Sequence, residues 1–582
     1  MQSTDQRREH NSGLHHDHIA QEALGGTSED LGATYFKSPA FLGTLSASCL
    51  AQISSYLGWV LPSNTLALID ADIGPSPNTI WVAVAWTTGM AIGSTLVGRL
   101  SDIFGRRWFI MGCCMLAMIA NIIGASAQSI DMLIATNALN GLASAGQLSF
   151  NTIMGELVTN KNRGPVNSLV LFTSLPFAVF GPPVARAFYE NTDLRWRWCY
   201  ILGIIVNALA IALYFFLYHP PTYEMLHVGG KSRLKQVKSL DWLGIALFTT
   251  GLTLFLIGLN WGGSSYSWSS GHVLGALLSG FATLALFCVW ESYTTLDYPL
   301  MPMRLFRNIK SDAVIACASV GSMIYYSMTV IWPNMISSLF TTDVQEVGWL
   351  SCAVGGGMLL GQLAGGFGIR FIPRMKIQML AASVIVVGFV AALASSNAST
   401  RGRTIAFLLI GSMAVGYVEN LTLSAIALLW DPEDIGLIGG TLAVIRTSAG
   451  AIATSMYSSI LASQSNKNIP NYVGPAAVNA GLPESSVADL LSRVSTGAFD
   501  GVPGITAGVT EAVGVALKRA YSESYMVVFL CTLPFGVILL ISAVICPNVE
   551  DYLTSDVARK LHKPGQEKNE VVRKEIVDDE DV

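Results

Sequence analysis

The chain has 582 residues, 52% hydrophobic and 13% charged, with a mean hydropathy of +0.50. An ordinary water-soluble domain, with about a quarter of its residues charged, is excluded. A net charge of −5, with basic residues scattered between apolar runs, excludes the basic stripe of a nucleic-acid binder.

Residues 1–40 form a polar tail without the charged-then-apolar layout of a signal peptide, so the first apolar run is expected to stay as a membrane anchor. His10, His15, His16 and His18 read as part of that flexible tail, and no metal site or cofactor is expected. A helix crosses a bilayer in roughly 20 apolar residues. By that measure fourteen spans follow, near 41–69, 78–98, 108–127, 132–155, 166–185, 198–218, 242–261, 272–290, 313–340, 347–369, 377–395, 404–430, 437–463 and 524–546. Residues 464–523 read as a long extracytoplasmic loop with helix-like pieces at 483–494 and 506–521, and the tail from Asp551 reads as disordered. All nine cysteines lie in or beside apolar runs and read as small buried residues. Asn397, Ala398 and Ser399 form an acceptor sequon for glycosylation.

With the amino terminus inside, the inner loops hold fifteen Lys and Arg and the short outer loops five, which predicts both termini in the cytoplasm. The inner loop after the second span, residues 98–107, reads GRLSDIFGRR. Gly98 allows close helix approach, Gly105 a tight turn, Asp102 places an anion beside helix ends, and Arg106 and Arg107 supply cations. The positive-inside rule asks for basic residues but not for this order.

At these residues the chain resembles the major facilitator superfamily, whose signature Gly-x-Leu-x-Asp-x-x-Gly-Arg-Arg/Lys is matched by Gly98, Leu100, Asp102, Gly105, Arg106 and Arg107. The resemblance implies an all-α integral membrane protein with two six-helix bundles rocking about a central site, this loop latching the cytoplasmic side. A degenerate second copy, GFGIRFIPRMK from Gly366, places Arg370 on Asp102, Pro373 on Gly105 and Arg374 on Arg106. The bundles are then residues 41–218 and 313–550, with two inserted helices in the linker 219–312 and a second cytoplasmic tail at 551–582. Gly181-Pro182 in the fifth span resembles the Gly-Pro motif of antiporters and predicts a functional kink. The fourth span has Asn137 and Asn140-Gly141 but lacks the arginine of the drug-antiporter pattern. The strings ADIGPS at 71–76, GELV at 155–158 and WRW at 196–198 look like the fungal trichothecene efflux pump family and its siderophore-transporter relatives.

Among charged residues, only Glu419 and Arg446 lie deep within apolar runs, at depths about 3 Å apart if their helices are adjacent. They predict either a static pin between two helices or a functional pair in which Glu419 exchanges a proton or engages a cationic substrate. Asn64, Trp86, Gln147, Asn151, Tyr325, Tyr417 and Asn420 are the expected lining of a substrate path. No histidine cluster or activated nucleophile lies near a membrane face, which argues against an enzyme. The expectation is a monomeric proton-coupled exporter of a small organic compound, embedded in the lipid bilayer of the plasma membrane or the vacuole. Ferric-siderophore uptake and a non-transporting receptor remain as alternatives.

Overall fold

The computed structural model describes residues 24–27, 35–76, 78–220, 238, 240–263, 266–294, 296, 299–301, 303–372, 374–430, 435–494, 499, 502–554 and 556–559, without the side chains of 24–27, 98, 99, 102 and 556–559. The amino-terminal histidines, Lys231, Arg233, Lys235, Pro373, and the side chains of Gly98 and Asp102 thus lie outside the described residues.

The fold is helical. In chain order the helices are α1 (Pro39–Asn64), α2 (Leu66–Ile73), α3 (Ile80–Phe104), α4 (Arg106–Ala125), α5 (Ile130–Gln147), α6 (Phe150–Leu157), α7 (Arg163–Phe172), α8 (Leu175–Ala178), α9 (Gly181–Asn191) and α10 (Trp198–Leu217). Then come α11 (Trp242–Trp261), α12 (Gly271–Tyr293), α13 (Ile309–Leu339), α14 (Val344–Phe371), α15 (Met375–Ala392), α16 (Arg401–Ile426), α17 (Ile435–Asn479), α18 (Val487–Arg493), α19 (Ala507–Leu530) and α20 (Leu533–Ile545). Side-chain caps set several starts: Ser38 accepts from Phe41 N at 3.2 Å ahead of Pro39, Asp241 from Gly244 N at 2.8 Å, and Asp343 from Glu346 N at 2.6 Å. Each satisfies an orphan donor of a first turn.

Among the described residues, 11 helices are long and apolar enough to cross a membrane. The expected spans at 41–69, 132–155 and 166–185 are not among them. The first of these, α1, carries Thr44, Ser48, Gln52, Ser54 and Ser55, all buried, so its polar side faces protein. The second is split at Leu148–Ser149 into α5 and α6, and the third is broken into α7, α8 and α9. Two further expectations are corrected. Residues 464–479 are helix, because α17 continues without a break and buries Val473 and Ala477 against Leu490, Val509 and Val513. Part of the tail after Asp551, expected to be disordered, forms a strand: β2 (Asp556–Arg559) pairs antiparallel with β1 (Leu24–Thr27). Cys288, expected to be buried, is exposed on α12, where an apolar run faces outward.

Helices α1 and α3–α10 pack into one group and α13–α20 into a second, and the groups meet where α3 lies along α17 and where α7 and α9 lie along α14. The α11–α12 hairpin covers the α3–α17 seam, with Phe248, Leu252 and Leu256 packed among Ala91, Val444 and Ala451. The closest pairs in the two groups, α3–α5 and α14–α16, use the same device. A Cβ on Gly141 would stand 2.2 Å from the Trp86 carbonyl oxygen, and one on Gly361 would stand 1.8 Å from that of Met413. Small residues at such crossings let backbones touch, the main source of attraction between helices in lipid. Gly361→Val is therefore expected to destabilise the fold by about 2–3 kcal/mol. A detergent-solubilised variant that melts at the wild-type temperature would contradict this packing.

One end of the molecule carries the β1–β2 ribbon, Gly105 and the α6–α7 and α14–α15 corners; it is called the tail face below, and the opposite end the far face.

Candidate functional site

A cavity of about 90 Å³ lies between the two groups, lined from α1, α3, α5–α7, α13, α14, α16 and α17. Its far side is closed by aromatic rings. Trp59 and Trp86 stack with centroids 4.8 Å apart, and Tyr326 meets Trp59 edge-on at 5.3 Å, with Tyr325 beside it. The plug joins both groups, since the tryptophans come from α1 and α3 and the tyrosines from α13. Trp86 Nε1 donates to Ser144 Oγ at 3.1 Å, and Gly450 leaves the space the Tyr326 ring fills.

The charged centre of the cavity is Glu419 on α16. Its Oε1 lies 2.8 Å from Arg446 Nη1, and its Oε2 accepts from Gln362 Nε2 at 2.8 Å. All three residues line the cavity. The depth argument from the sequence thus places two partners that do meet, and the structure adds Gln362. A carboxylate out of bulk water is held here by one charge-assisted pair and one neutral donor.

Toward the tail face a seam of hydrogen bonds joins the groups. Arg163 Nη1 donates to the Ala427 carbonyl at 3.0 Å, Asn151 Nδ2 to that of Leu423 at 3.3 Å, and Asn420 Nδ2 to Ser168 Oγ at 2.9 Å and to the Gln362 carbonyl at 2.6 Å. Arg370 donates to Asn162 across the same seam. A strap lies over it. Asn548 Oδ1 accepts from Lys376 N at 3.1 Å and Glu550 from Arg374 N, after which the Thr554 carbonyl accepts from Lys161 N at 3.0 Å.

The turn at Gly105 has φ +85°, which suits glycine. Arg106 forms an ion pair with Glu156 at 2.6 Å, both side chains under a tenth exposed. Arg107 donates to the Phe215 carbonyl and lies 5.5 Å from the Trp108 and Phe215 rings. These contacts stay within the first group, while the arginines that bond across the seam are Arg163 and Arg370. At the second copy Arg374 has φ +62° and immediately precedes α15, as Gly105 precedes α4. In backbone terms it stands at the place of Gly105, one position from where the sequence superposition sets it, because the corner from Phe371 to Met375 is longer than that from Phe104 to Arg106.

Of the expected path residues, Trp86, Asn151 and Tyr325 line the cavity. The other four have structural partners. Asn64 bonds the Val60 carbonyl at 2.8 Å and lines a small outer void with Pro182, Gln147 bonds Asn207 at 2.8 Å, Tyr417 bonds Gln378 at 2.6 Å, and Asn420 joins the seam. Gly181 and Pro182 open α9 directly after the break at Val179–Phe180, so the expected interruption is present. Asn137 and Asn140 bond the Val82 carbonyl and Asn121 inside the first group. Glu419 is not the sole buried acid: Glu156 and Glu291 are each 3% exposed, at the ends of α6 and α12 where apolar runs give way to polar residues.

Residues 9–580 match the model of the fungal trichothecene efflux pump family. The chain belongs to that family. It is 29% identical to a trichothecene efflux pump of Trichoderma arundinaceum over 94% of this chain and 92% of the relative, and 26% identical to one of Fusarium sporotrichioides over the same shares. An MFS-type transporter of Penicillium rubens is 29% identical over 85% and 89%. Among solved structures, a proton:xylose symporter of the major facilitator superfamily aligns over 90% of this chain and 99% of its own, at TM-score 0.51 and 14% identity, a likeness of fold. The protein is thus a multi-pass membrane transporter of a small molecule and not an enzyme.

The family-like strings acquire structural roles. Asp72 of ADIGPS accepts from Trp196 Nε1 at 2.8 Å and pairs with Arg195 at 2.5 Å, so ADIGPS and the WRW segment clasp each other on the far face. Glu156 of GELV is the partner of Arg106.

Proposed function

We propose that this chain exports a small, largely apolar organic compound, a trichothecene-type toxin or another secondary metabolite, by proton antiport and alternating access. The reading is carried by the Glu419–Arg446–Gln362 group, an ionisable centre placed in a closed cavity at the joint of two helix groups. An intramembrane acid beside such a cavity suits proton exchange, and the aromatic lining suits an apolar cargo. Family membership supports the export direction.

In this reading the chain has fourteen spans, formed by two six-helix halves and the α11–α12 pair, and acts as a monomer in the plasma membrane with both tails cytoplasmic. Opening inward breaks the seam of Arg163, Arg370 and Asn420, guarded by the loop of Gly98, Asp102, Gly105, Arg106 and Arg107. Opening outward parts the aromatic plug, with the Gly181-Pro182 break as a flexing point. Cells expressing the gene should hold several-fold less labelled trichothecene than cells lacking it, with unchanged uptake of labelled ferric siderophore. Raised siderophore uptake with unchanged toxin content would reverse the assignment.

A further inference from the structure

Beyond the aromatic plug lies a second cavity, of about 380 Å³, that shares no lining residue with the first. It starts one and a half turns past the plug: Trp81 precedes Trp86 on α3 and Ile331 follows Tyr326 on α13 by five residues, about 7.5 Å along each helix. It therefore lies on the far-face side of the central cavity, the side on which the plug would part.

Its chemistry differs from that of the first cavity. No acid, base or histidine lines it. Two indole rings, Trp81 and Trp261, stand among side-chain amides and hydroxyls. The Ser465 hydroxyl is buried without a partner, a position that calls for a ligand or water. The half-buried Ser458 and Tyr521 and the exposed Asn334 make no side-chain hydrogen bond among the described residues and stay open to one. Trp261 belongs to α11, outside the two main groups, and Tyr521 to α19, so the inserted hairpin and the long carboxyl-terminal helix together build walls of this space.

We infer that this outer cavity is a second binding site, on the release side, for an uncharged apolar compound bearing several ether, ester, carbonyl or hydroxyl oxygens. Indole faces take the carbon skeleton, and the hydroxyls of Ser465, Ser458 and Tyr521 with the Asn334 amide take its oxygens. The inference rests on the export reading above. It adds that the cargo is neutral as it leaves, and that it pauses in a chamber carrying no charge of its own.

The test uses the full-length protein in lipid nanodiscs with a tritium-labelled trichothecene. Two molecules should bind per chain. Ser465→Ala with Tyr521→Phe, which removes two hydroxyls with little change of volume, should weaken one site by about tenfold and leave the other as it was. Ser458→Trp, which places an indole in the chamber and narrows it, should reduce the count to one. A single site in the wild type, indifferent to these changes while vesicles still transport the toxin, would mean that the chamber holds only water or lipid and would overturn the inference alone. Absence of both binding and transport would overturn the proposed substrate class, and the occupant of this chamber with it.

Discussion

Glu419→Gln is expected to leave substrate exchange across the membrane intact and to remove accumulation against a gradient, with the uphill ratio falling from well above tenfold to about one. The carboxylate is the part of the central cavity that can take up and release a proton while its surroundings change. In the closed arrangement Arg446 stands 2.8 Å away and Gln362 holds the second oxygen, so the side chain has one charge-assisted partner and one neutral donor. Glu419 and Arg446 sit on α16 and α17, both in the second group, so parting them takes a shift of α16 against α17 within that group as the cavity opens. Separation would leave a buried charge without its partner, a state costing about 3–5 kcal/mol, and proton uptake relieves it. Glutamine keeps the shape and the bond to Gln362 but cannot cycle a proton. Arg446→Ala should give the complementary result, transport that no longer responds to pH. Vesicles bearing each variant, assayed for uphill transport across a range of pH, decide the matter. If Glu419→Gln still pumps uphill with the wild-type pH profile, the pair is a structural pin.

The two residues of this pair were legible in the sequence because a charge inside an apolar run is rare and its depth can be counted along a helix. Gln362 was not, since an amide in α14 reads as packing until its neighbour is known. The same ambiguity worked the other way at Gln147 and Asn420, amides that looked like cargo contacts and instead hold helices together. Hydropathy marks the outer helices well and the inner ones poorly for one physical reason. Helices that line a polar cavity, such as α1 with Gln52 and Ser55, carry that polarity in their own sequence, and breaks like those at Ser149 and Ser174 divide the rest. The run past residue 463 was obscured by Pro470 and Pro475, which a helix tolerates when it is packed on a partner such as α19. The strap of residues 548–559 could not be read locally at all, because its bonds join segments hundreds of positions apart.

Glu156→Ala is expected to have the largest effect on stability of any single change at the tail face, and to loosen the gate there. Glu156 lies 2.6 Å from Arg106, with the two side chains 5% and 8% exposed, and its charge also acts on Arg163. One acid therefore stands among two buried guanidinium groups. Arg163 is the residue that reaches the second group, donating to the Ala427 carbonyl at the end of α16, where a cation meets the negative end of the helix. Without Glu156 the two cations repel each other in a poorly hydrated place, and breaking a buried pair of this kind costs about 3–5 kcal/mol. The melting temperature in detergent should fall by several degrees. A cysteine substituted at Gly439, which lines the central cavity, should be alkylated faster by a reagent added from the tail side. The double variant Arg106→Met with Glu156→Ala separates the two effects, since apolar side chains can replace a buried pair without loss of stability. Restored melting with alkylation still fast would assign Glu156 to the gate through Arg163. Slow alkylation in the single variant, despite a lowered melting temperature, would confine the pair to holding the first group together.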